Sequence, residues 1–297
     1  MTDMLPLVSV VTPAYNSRHW LDSVIACVEA QTYPNIELII IDDGSTDSTQ
    51  DWANENQAKC RYFRQENQGP ALARNFGVAQ AKGKYIAFLD ADDAWFPEKL
   101  SRQIAELEND SGAAFVFCNG HRVTSQALFP EICTQAKNSP KLSDLYTRPP
   151  LSLDFTFEFK IHCVATSSLV ASRAKIIEVG GMPELRQGED FVLVCRLLLH
   201  GNAIYIDDPL TIYRSHNANS SAKVAGRRNA IKKILATDIA RLSIPSPNDT
   251  ISKYPRVFGN YQRTPLIFRL FLLLYWRILL GNSKKKIGSD IVRYLKG

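Results

Sequence analysis

Three carboxylates follow an apolar segment in the first half of the chain. Residues 85–89 read Tyr-Ile-Ala-Phe-Leu, and Asp90, Asp92 and Asp93 come directly after them. In an open parallel sheet, ligands bind beyond the carboxyl ends of the strands, so a strand over 85–89 would bring these acids to a ligand crevice. Mg²⁺ and Mn²⁺ prefer carboxylate oxygens, and Mg²⁺ is often held by one or two carboxylates together with substrate phosphates. The spacing predicts a divalent cation between the protein and a nucleotide diphosphate, the alternative being that the acids cap a helix starting near Pro97.

Polar residues follow two other predicted strands in the same way. Residues 7–12 are apolar and β-branched, and they end in Pro-Ala-Tyr-Asn at 13–16. Residues 36–41 repeat the pattern and end in the pair Asp42-Asp43. The carboxyl ends of parallel strands meet at one edge of a sheet, so these loops are expected beside the acids of the central segment.

A second acidic pair precedes a helical pattern in the second half. A helix is predicted over 190–200, and Glu189 and Asp190 lie at its start. The positive end of the helix dipole favours the charged forms of both carboxylates. A polar loop, Ser215-His216, follows the last predicted strand.

The elements that must position these residues alternate along the chain. Strands are predicted at 7–12, 36–41, 61–64, 85–89 and 113–118, with helices between them, including 17–31 and 69–81. Five strand-helix units in series predict a parallel sheet with helices on both faces. Prolines interrupt the pattern over 119–160, which we expect to be irregular. Further elements are predicted at 164–171 (strand), 173–179 (helix), 190–200 (helix), 203–206 (strand) and 210–214 (strand).

Composition limits the class of protein. A chain of 297 residues with 45% hydrophobic content suits one large domain, or one domain with an appendage. Its six cysteines form no Cys-x-x-Cys pair, which predicts reduced, structural thiols of a cytosolic protein. The first residues carry an acid and no basic leader, so we expect a first strand there and no signal peptide.

The charge is concentrated at one end. The net charge is +5, but residues 251–297 hold ten Lys or Arg against the single Asp290, a net +9 that leaves −4 for residues 1–250. A helix is expected over 222–241 and a linker over 244–250. Such an asymmetry predicts an anionic partner for the tail, either lipid or nucleic acid.

The apolar run 265–281 is interrupted only by Arg269 and Arg277. It is short for a bilayer span, so we expect a helix lying in the membrane interface, with the lysines of 284–286 near anionic headgroups. A helix packed on protein is the alternative. The expected location is cytoplasmic, peripheral on the inner face of the cell membrane, and nucleic acid is not expected because the aromatic residues lie within a hydrophobic run.

The motifs together resemble one family. In chain order they are VSVVTPAYN, IIIDDGSTD, ENQGPALARNFGVAQAKGKYIAFLDADD, GGMPELRQGED and YRSHNANS. Their order and spacing resemble those of family 2 glycosyltransferases with a GT-A fold, over about residues 7–220. The resemblance implies an α/β, Rossmann-like, doubly wound and mostly parallel sheet with helices on both faces, followed here by a helical basic tail. The expected divisions are a catalytic domain (1–220), a helix and linker (221–250) and a membrane-associating tail (251–297).

The resemblance also implies which residues bind the donor: Pro13, Ala14, Tyr15, Asn16, Asp43, Arg74 and Asp90. The loop 13–16 would cradle the nucleotide, with the Tyr15 ring on the base and Asp43 hydrogen-bonded to the uracil edge. Arg74 would lie near the diphosphate or the sugar, and Asp90 near the ribose. Without the resemblance, ordinary core packing for Tyr15 and a surface ion pair for Arg74 are the alternatives.

Catalytic and metal-binding roles are implied in the same way. Asp190 matches the catalytic base, and Glu189 matches a neighbour that orients the loop or the acceptor. Asp92 matches the metal ligand of the Asp-x-Asp motif, and His216 falls where related enzymes place a metal-contacting histidine, with a solvated histidine as the alternative. Asp93 is expected to cap a helix. The implied cofactor is Mn²⁺ or Mg²⁺.

The resulting prediction is an inverting glycosyltransferase. It would move a sugar from a nucleotide-sugar donor to a hydroxyl of a glycan or lipid-linked acceptor in cell-surface polysaccharide or glycolipid assembly. Uridine diphosphate is the expected carrier, with thymidine or guanosine diphosphate as the alternatives. A metal-dependent nucleotidyltransferase or phosphotransferase is one alternative, although no Gly-x-x-x-x-Gly-Lys loop is present. A non-catalytic membrane-binding module is the other. The sequence leaves the oligomeric state open.

Overall fold

The computed structural model describes residues 5–142, 164–185, 188–198 and 200–216. The expected helix 222–241, the linker and the tail lie outside the described residues, as does most of the second half of the segment 119–160. No helix within the described ranges is both long and apolar enough to span a membrane.

The strands and helices of the described ranges are, in chain order, β1 (Val8–Ala14), α1 (Arg18–Glu29), β2 (Ile36–Asp42), α2 (Thr49–Glu55), β3 (Arg61–Arg64), α3 (Pro70–Gln80), β4 (Tyr85–Phe88), β5 (Ala94–Trp95), α4 (Lys99–Asn109), β6 (Ala113–Val123), α5 (Glu131–Ala136), β7 (Val170–Ser172), α6 (Arg173–Glu178), α7 (Glu189–Leu198) and β8 (Asn202–Arg214). A 3₁₀ turn, Thr166–Ser168, precedes β7.

The strands form one sheet in the order β3-β2-β1-β4-β7-β6-β8-β5. The first four are parallel, so the loops that follow β1, β2 and β4 lie at a common edge. β7 runs antiparallel between β4 and β6, whereas β6 and β8 are parallel and β5 is antiparallel to β8. The predicted doubly wound, mostly parallel α/β sheet is therefore confirmed.

Helices cover both faces because the strand side chains are apolar on both. Successive residues of a strand point to opposite faces, and Val10 packs in the cluster that includes Trp20, whereas Val11 packs in the cluster that includes Leu193. Gly77 lets α3 lie close to the sheet, since a Cβ there would be 2.3 Å from Cγ1 of Val11. The missing side chain at Gly77 therefore lets α3 pack directly on β1.

Two expectations about the second half were wrong. The predicted strand 164–171 is instead the 3₁₀ turn followed by the short strand β7. The hydroxyl of Ser168 donates to the carbonyl oxygen of Ala165 at 2.7 Å, a local bond that competes with an extended strand. The separate strands 203–206 and 210–214 are one strand, β8, whose irregular register against β6 near Asn119 accommodates the polar residues between them.

The strand at 113–118 and the role of Asp93 also need correction. β6 continues to Val123 and α5 follows, so part of the segment expected to be irregular is regular. β6 pairs with β7 and β8 and not with β4, so the fifth unit does not simply extend the parallel series. Asp93 caps no helix, because β5 follows it and α4 begins only at Lys99, with Glu98 in the capping position.

Candidate active site

The predicted nucleotide loop, residues 13–16, leaves β1 and is fixed to the loop after β2. Asn16 has a positive φ of 51°, and its side-chain oxygen accepts from the backbone N–H of Thr46 at 2.8 Å. The backbone N–H of Asn16 donates to the Ser45 hydroxyl at 2.9 Å. Tyr15 is 52% exposed, so the core-packing alternative for this ring is wrong. The loop thus presents an aromatic ring to solvent on a rigid support.

Asp43 organises the segment that leads into α3. Its carboxylate is buried and accepts from the side-chain amide of Gln65 at 2.7 Å and from the backbone N–H groups of Gln68 and Gly69 at 2.9 and 2.8 Å. A carboxylate has about four acceptor positions, so three internal bonds leave room for one more donor. The predicted contact with a uracil edge would use that position.

Arg74 joins two parts of the chain that are far apart in sequence. Its guanidinium is 2.5 Å from Oδ1 of Asp90 at the end of β4 and 3.0 Å from Oε1 of Glu189 in the first turn of α7. The side chain is buried, so the surface ion pair considered from the sequence is wrong. Burial raises the pKa of the Glu189 carboxyl, and the Arg74 charge offsets only part of that effect. Arg74 therefore draws the predicted donor-binding acid and the predicted catalytic helix to one edge.

Asp92 and His216 form a second pair at this edge. Nε2 of His216 lies 2.8 Å from Oδ2 of Asp92, and the imidazole stacks on Trp20 with ring centroids 6.4 Å apart. Burial raises the pKa of the Asp92 carboxyl, as does the nearby charge of Asp90, while the contact with His216 acts against both.

The Asp92–His216 pair fits a divalent cation. Two ligands of one octahedral cation, each at about 2.1 Å, are about 3 Å apart when they are adjacent, close to the separation observed. Within the described ranges, no group of three or more His, Cys, Asp or Glu residues could hold a metal ion. A cation held by this pair would need further ligands, and substrate phosphates and water commonly supply these for Mg²⁺.

Sequence reasoning missed several residues that support these acids. The hydroxyl of Ser167 donates to Oδ2 of Asp93 at 2.6 Å, and the backbone N–H of Arg214 donates to Oδ1 at 3.0 Å. Burial raises the pKa of the Asp93 carboxyl well above its usual range, and the charges of Asp92 and Asp90 add to the effect. One signal in the sequence could have indicated this support: three hydroxyl residues, 166–168, lie together inside an apolar segment. Buried polar groups need hydrogen-bond partners, so such a run predicts polar contacts with other parts of the chain.

Asp190 lies partly exposed at the start of α7, beside Glu189. Oδ2 of its carboxylate accepts from the Thr166 hydroxyl at 3.2 Å, and Oδ1 accepts from the backbone N–H of Phe191 at 2.7 Å. The structure thus brings Asp90, Arg74, Glu189 and Asp190 together through one chain of contacts.

Comparisons with known proteins identify the family and the fold. A family model described as glycosyl transferase family 2 matches residues 9–163. The chain is 31% identical over 227 residues to the "Putative teichuronic acid biosynthesis glycosyltransferase TuaG" of Bacillus subtilis, covering 75% of this chain and 84% of that protein. It is 29% identical over 240 residues to the UDP-Glc:alpha-D-GlcNAc-diphosphoundecaprenol beta-1,3-glucosyltransferase WfaP of Escherichia coli, covering 77% and 87%.

Among solved structures, the crystal structure of S. aureus TarS 1-349 in complex with UDP-GlcNAc superposes with a TM-score of 0.63. The superposition covers 93% of this chain and 80% of that one at 17% sequence identity. At this identity the likeness concerns the fold, and it confirms the predicted GT-A type.

Proposed function

The chain belongs to glycosyl transferase family 2, and from that premise we propose that it transfers a sugar from a UDP-sugar to an acceptor hydroxyl with inversion at the anomeric carbon. The name of WfaP gives a UDP-glucose donor and an acceptor carried on diphosphoundecaprenol, and TuaG is named for teichuronic acid biosynthesis. TarS was crystallised with UDP-GlcNAc. We therefore propose a glycan or lipid-linked acceptor in cell-surface polysaccharide or glycolipid assembly.

The Arg74 bridge is the observation that carries the proposal. A single buried guanidinium contacts Asp90, which follows β4, and Glu189, which precedes Asp190 on α7. A donor held by loop 13–16, Asp43 and Asp90 would therefore have Asp190 nearby at the same edge. Transfer by single displacement needs a base beside the donor and no carboxylate nucleophile.

The roles of the residues follow from this arrangement. Asp190, partly exposed, takes the proton from the acceptor hydroxyl as that oxygen attacks the anomeric carbon from the face opposite the leaving diphosphate. The anomeric bond to the diphosphate breaks as the new glycosidic bond forms. Glu189 forms an ion pair with Arg74 and orients the first turn of α7, while Arg74 supplies positive charge near the donor.

Enzymes with the GT-A fold often use a divalent metal, and Asp92 and His216 are the residues that would hold Mn²⁺ or Mg²⁺ here. Such a cation would offset the negative charge that develops on the leaving nucleoside diphosphate. The 2.8 Å contact between the two side chains would then be replaced by bonds to the cation.

The alternatives from other classes gain little support from the site. A nucleotidyltransferase or phosphotransferase would not require a base on α7 beside the donor, and a non-catalytic membrane module would not require Arg74 to draw buried acids to one edge. Analysis of the product decides among them, because only sugar transfer releases UDP and forms a glycosidic bond.

UDP release by the full-length chain tests the proposal, with UDP-glucose and UDP-GlcNAc as donors, Mn²⁺, and GlcNAc-diphosphoundecaprenol as acceptor. Asp190→Asn should lower turnover about 10²- to 10⁴-fold and leave UDP binding nearly intact. Asp92→Asn should abolish Mn²⁺-dependent UDP binding, because an amide is a weaker ligand for a hard cation. Asp51→Asn is the matched control, since Asp51 also lies in the first turn of a helix but is exposed.

Four outcomes would contradict parts of the proposal. Normal turnover with weakened UDP binding in Asp190→Asn would make Asp190 a donor ligand. Unchanged Mn²⁺-dependent affinity in Asp92→Asn would remove the metal assignment. A product that retains the anomeric configuration, or no UDP release from either donor, would overturn the reaction itself.

We also propose that the basic tail holds the enzyme on the inner face of the cell membrane. The composition of residues 251–297 supports this, with ten basic residues around the apolar run 265–281. Each cation near an anionic surface adds about 1 kcal/mol, so the full-length chain should sediment with vesicles containing phosphatidylglycerol and be released by high salt. Binding that is indifferent to acidic lipid and to salt would contradict an interfacial tail.

A further inference from the structure

The 3₁₀ turn Thr166–Ser168 lies between the acidic loop after β4 and the start of α7. Its three residues are almost fully buried, with 6, 0 and 0% of their surface exposed. Three consecutive buried hydroxyl groups require hydrogen-bond partners, since an unsatisfied buried hydroxyl is costly. One set of partners holds the backbone of the turn, and the other set consists of the acids of the candidate site.

The main chain of the turn is fixed from behind. The Ser167 carbonyl oxygen accepts from the indole N–H of Trp95 at 2.7 Å and from the Thr211 hydroxyl at 3.4 Å. The Ser168 carbonyl oxygen accepts from the side-chain amide of Gln103 at 2.9 Å. Trp95 and Gln103 are themselves buried, so the backbone of the turn cannot shift without disturbing the core.

Two of the hydroxyl groups face the acids. The Ser167 hydroxyl accepts from the backbone N–H of Asp90 and donates to Asp93, which fixes both ends of the acidic loop 90–93. The Thr166 hydroxyl donates to Oδ2 of Asp190. One rigid turn therefore contacts both the donor-side acids and the proposed base.

We propose that Thr166 is the residue that positions Asp190 for proton abstraction, while Ser167 beside it holds the acidic loop 90–93. Thr166 binds one carboxylate oxygen and the N–H of Phe191 binds the other, so the two bonds together fix the rotamer of Asp190. A base held in one orientation loses less entropy on reaching the reactive geometry. This inference rests on the proposed role of Asp190 as the base.

The third hydroxyl of the turn supplies the matched control. The Ser168 hydroxyl donates only to the carbonyl oxygen of Ala165 among the described residues, and it contacts no acid. Ser168→Ala therefore removes a buried hydroxyl from the same turn without touching Asp190. A purely structural role of the turn would make Thr166→Val and Ser168→Ala alike in their effect on turnover.

The experiment compares Thr166→Val, Thr166→Ser and Ser168→Ala in the full-length chain, by the UDP-release assay and by UDP binding. Thr166→Val keeps the side-chain shape but removes the donor, so kcat should fall on the order of 10- to 100-fold while KM for the UDP-sugar and UDP affinity stay within about twofold. Thr166→Ser, which keeps the hydroxyl, should restore most of kcat. Ser168→Ala should lower the melting temperature and leave kcat near that of the unmodified chain.

A double-variant cycle separates this inference from the proposed function. If Asp190 is the base and Thr166 acts through it, Thr166→Val should have little further effect in an Asp190→Asn background. Full kcat in Thr166→Val, alongside an impaired Asp190→Asn, would overturn the positioning role alone. Normal turnover in Asp190→Asn would overturn the proposed base. If Thr166→Val is too unstable to assay, a kcat in Thr166→Ser that is about 10-fold or more below that of Ser168→Ala would also overturn the positioning role, because Thr166→Ser keeps the hydroxyl.

Discussion

The sheet edge has two parts. The nucleotide side comprises loop 13–16, Asp42 and Asp43, and the reaction side comprises Arg74, Asp92, Asp93 and Glu189. The two sides hold their buried charges in different ways. On the nucleotide side, Asp42 accepts from the Tyr62 hydroxyl at 2.5 Å, from Arg64 at 3.1 Å and from the backbone N–H of Ser45 at 2.8 Å. The neighbouring Asp43 has three amide donors of its own. Each of these buried carboxylates thus accepts three hydrogen bonds from within the protein.

The reaction side leaves its charges less balanced. Burial and the neighbouring acids raise the pKa of Asp92 and Asp93, and burial raises the pKa of Glu189 although Arg74 contacts it. Crowded carboxylates of this kind are costly to the folded protein and are concentrated at functional sites. The comparison indicates that the buried acids of the nucleotide side have internal hydrogen-bond donors, whereas the reaction side carries excess negative charge that a bound cation would offset.

The largest difference between the two sides should appear when one arginine is removed from each. Arg74→Met leaves Glu189 and Asp90 without their buried cation, and breaking such a pair costs about 3 to 5 kcal/mol. Arg64→Met should cost about 1 kcal/mol, because Arg64 is 40% exposed and Asp42 keeps its other donors. Urea unfolding of the two variants at pH 7 measures both effects.

The pH dependence of Arg74→Met checks the cause. Burial already raises the pKa of the Glu189 carboxyl in the folded state, and the loss of the Arg74 cation raises it further, so the variant should regain stability as the pH falls and Glu189 binds a proton. A loss that is the same at pH 5 and pH 8, or equal losses in Arg64→Met and Arg74→Met, would remove the contrast between the two sides.

The same contrast explains how much could be predicted from the sequence. Asp43 and its partners lie within 26 positions of each other, and the strand pattern was enough to predict that the loops after β1, β2 and β4 share one edge. On the reaction side, Arg74 meets Glu189 across 115 positions and His216 meets Asp92 across 124. The resemblance supplied those residues, but periodicity could not show that they touch.

The turn Thr166–Ser168 could not be predicted from local pattern. Its segment reads as a buried strand, and what prevents a strand is that each hydroxyl finds a partner elsewhere, including Asp93 and Asp190. Asp93 was assigned to a helix cap for the related reason that its true partners, Ser167 and Arg214, lie 74 and 121 positions away. The turn and the role of Asp93 could not be predicted because both depend on polar contacts between residues far apart in the sequence.

The smallest expected effect concerns Lys99, a buried cation behind the reaction side. Its ammonium donates to Gln103 at 2.6 Å and lies 4.1 Å from the centre of the Trp95 ring, and it contacts no carboxylate in the described ranges. Burial lowers the pKa of Lys99 to about 8, although the nearby thiols of Cys118 and Cys27 act in the opposite direction. At pH 7 this amounts to a cost on the order of 3 kcal/mol, which the cation–π contact and the hydrogen bond partly offset.

Lys99→Met should therefore stabilise the protein by about 1 kcal/mol at pH 7, in contrast to Arg74→Met. Between pH 8 and the ordinary lysine range near 10.5, the unfolded chain binds the proton that the folded chain has released, so the Lys99 contribution to stability rises with pH. The advantage of Lys99→Met should accordingly shrink from pH 8 towards pH 10 in urea unfolding. Lys137→Met, at an exposed position, should show no such trend. A destabilised Lys99→Met at pH 7, or an advantage that grows with pH, would mean that Lys99 has a compensating partner and that the reaction side is better balanced than its contacts indicate.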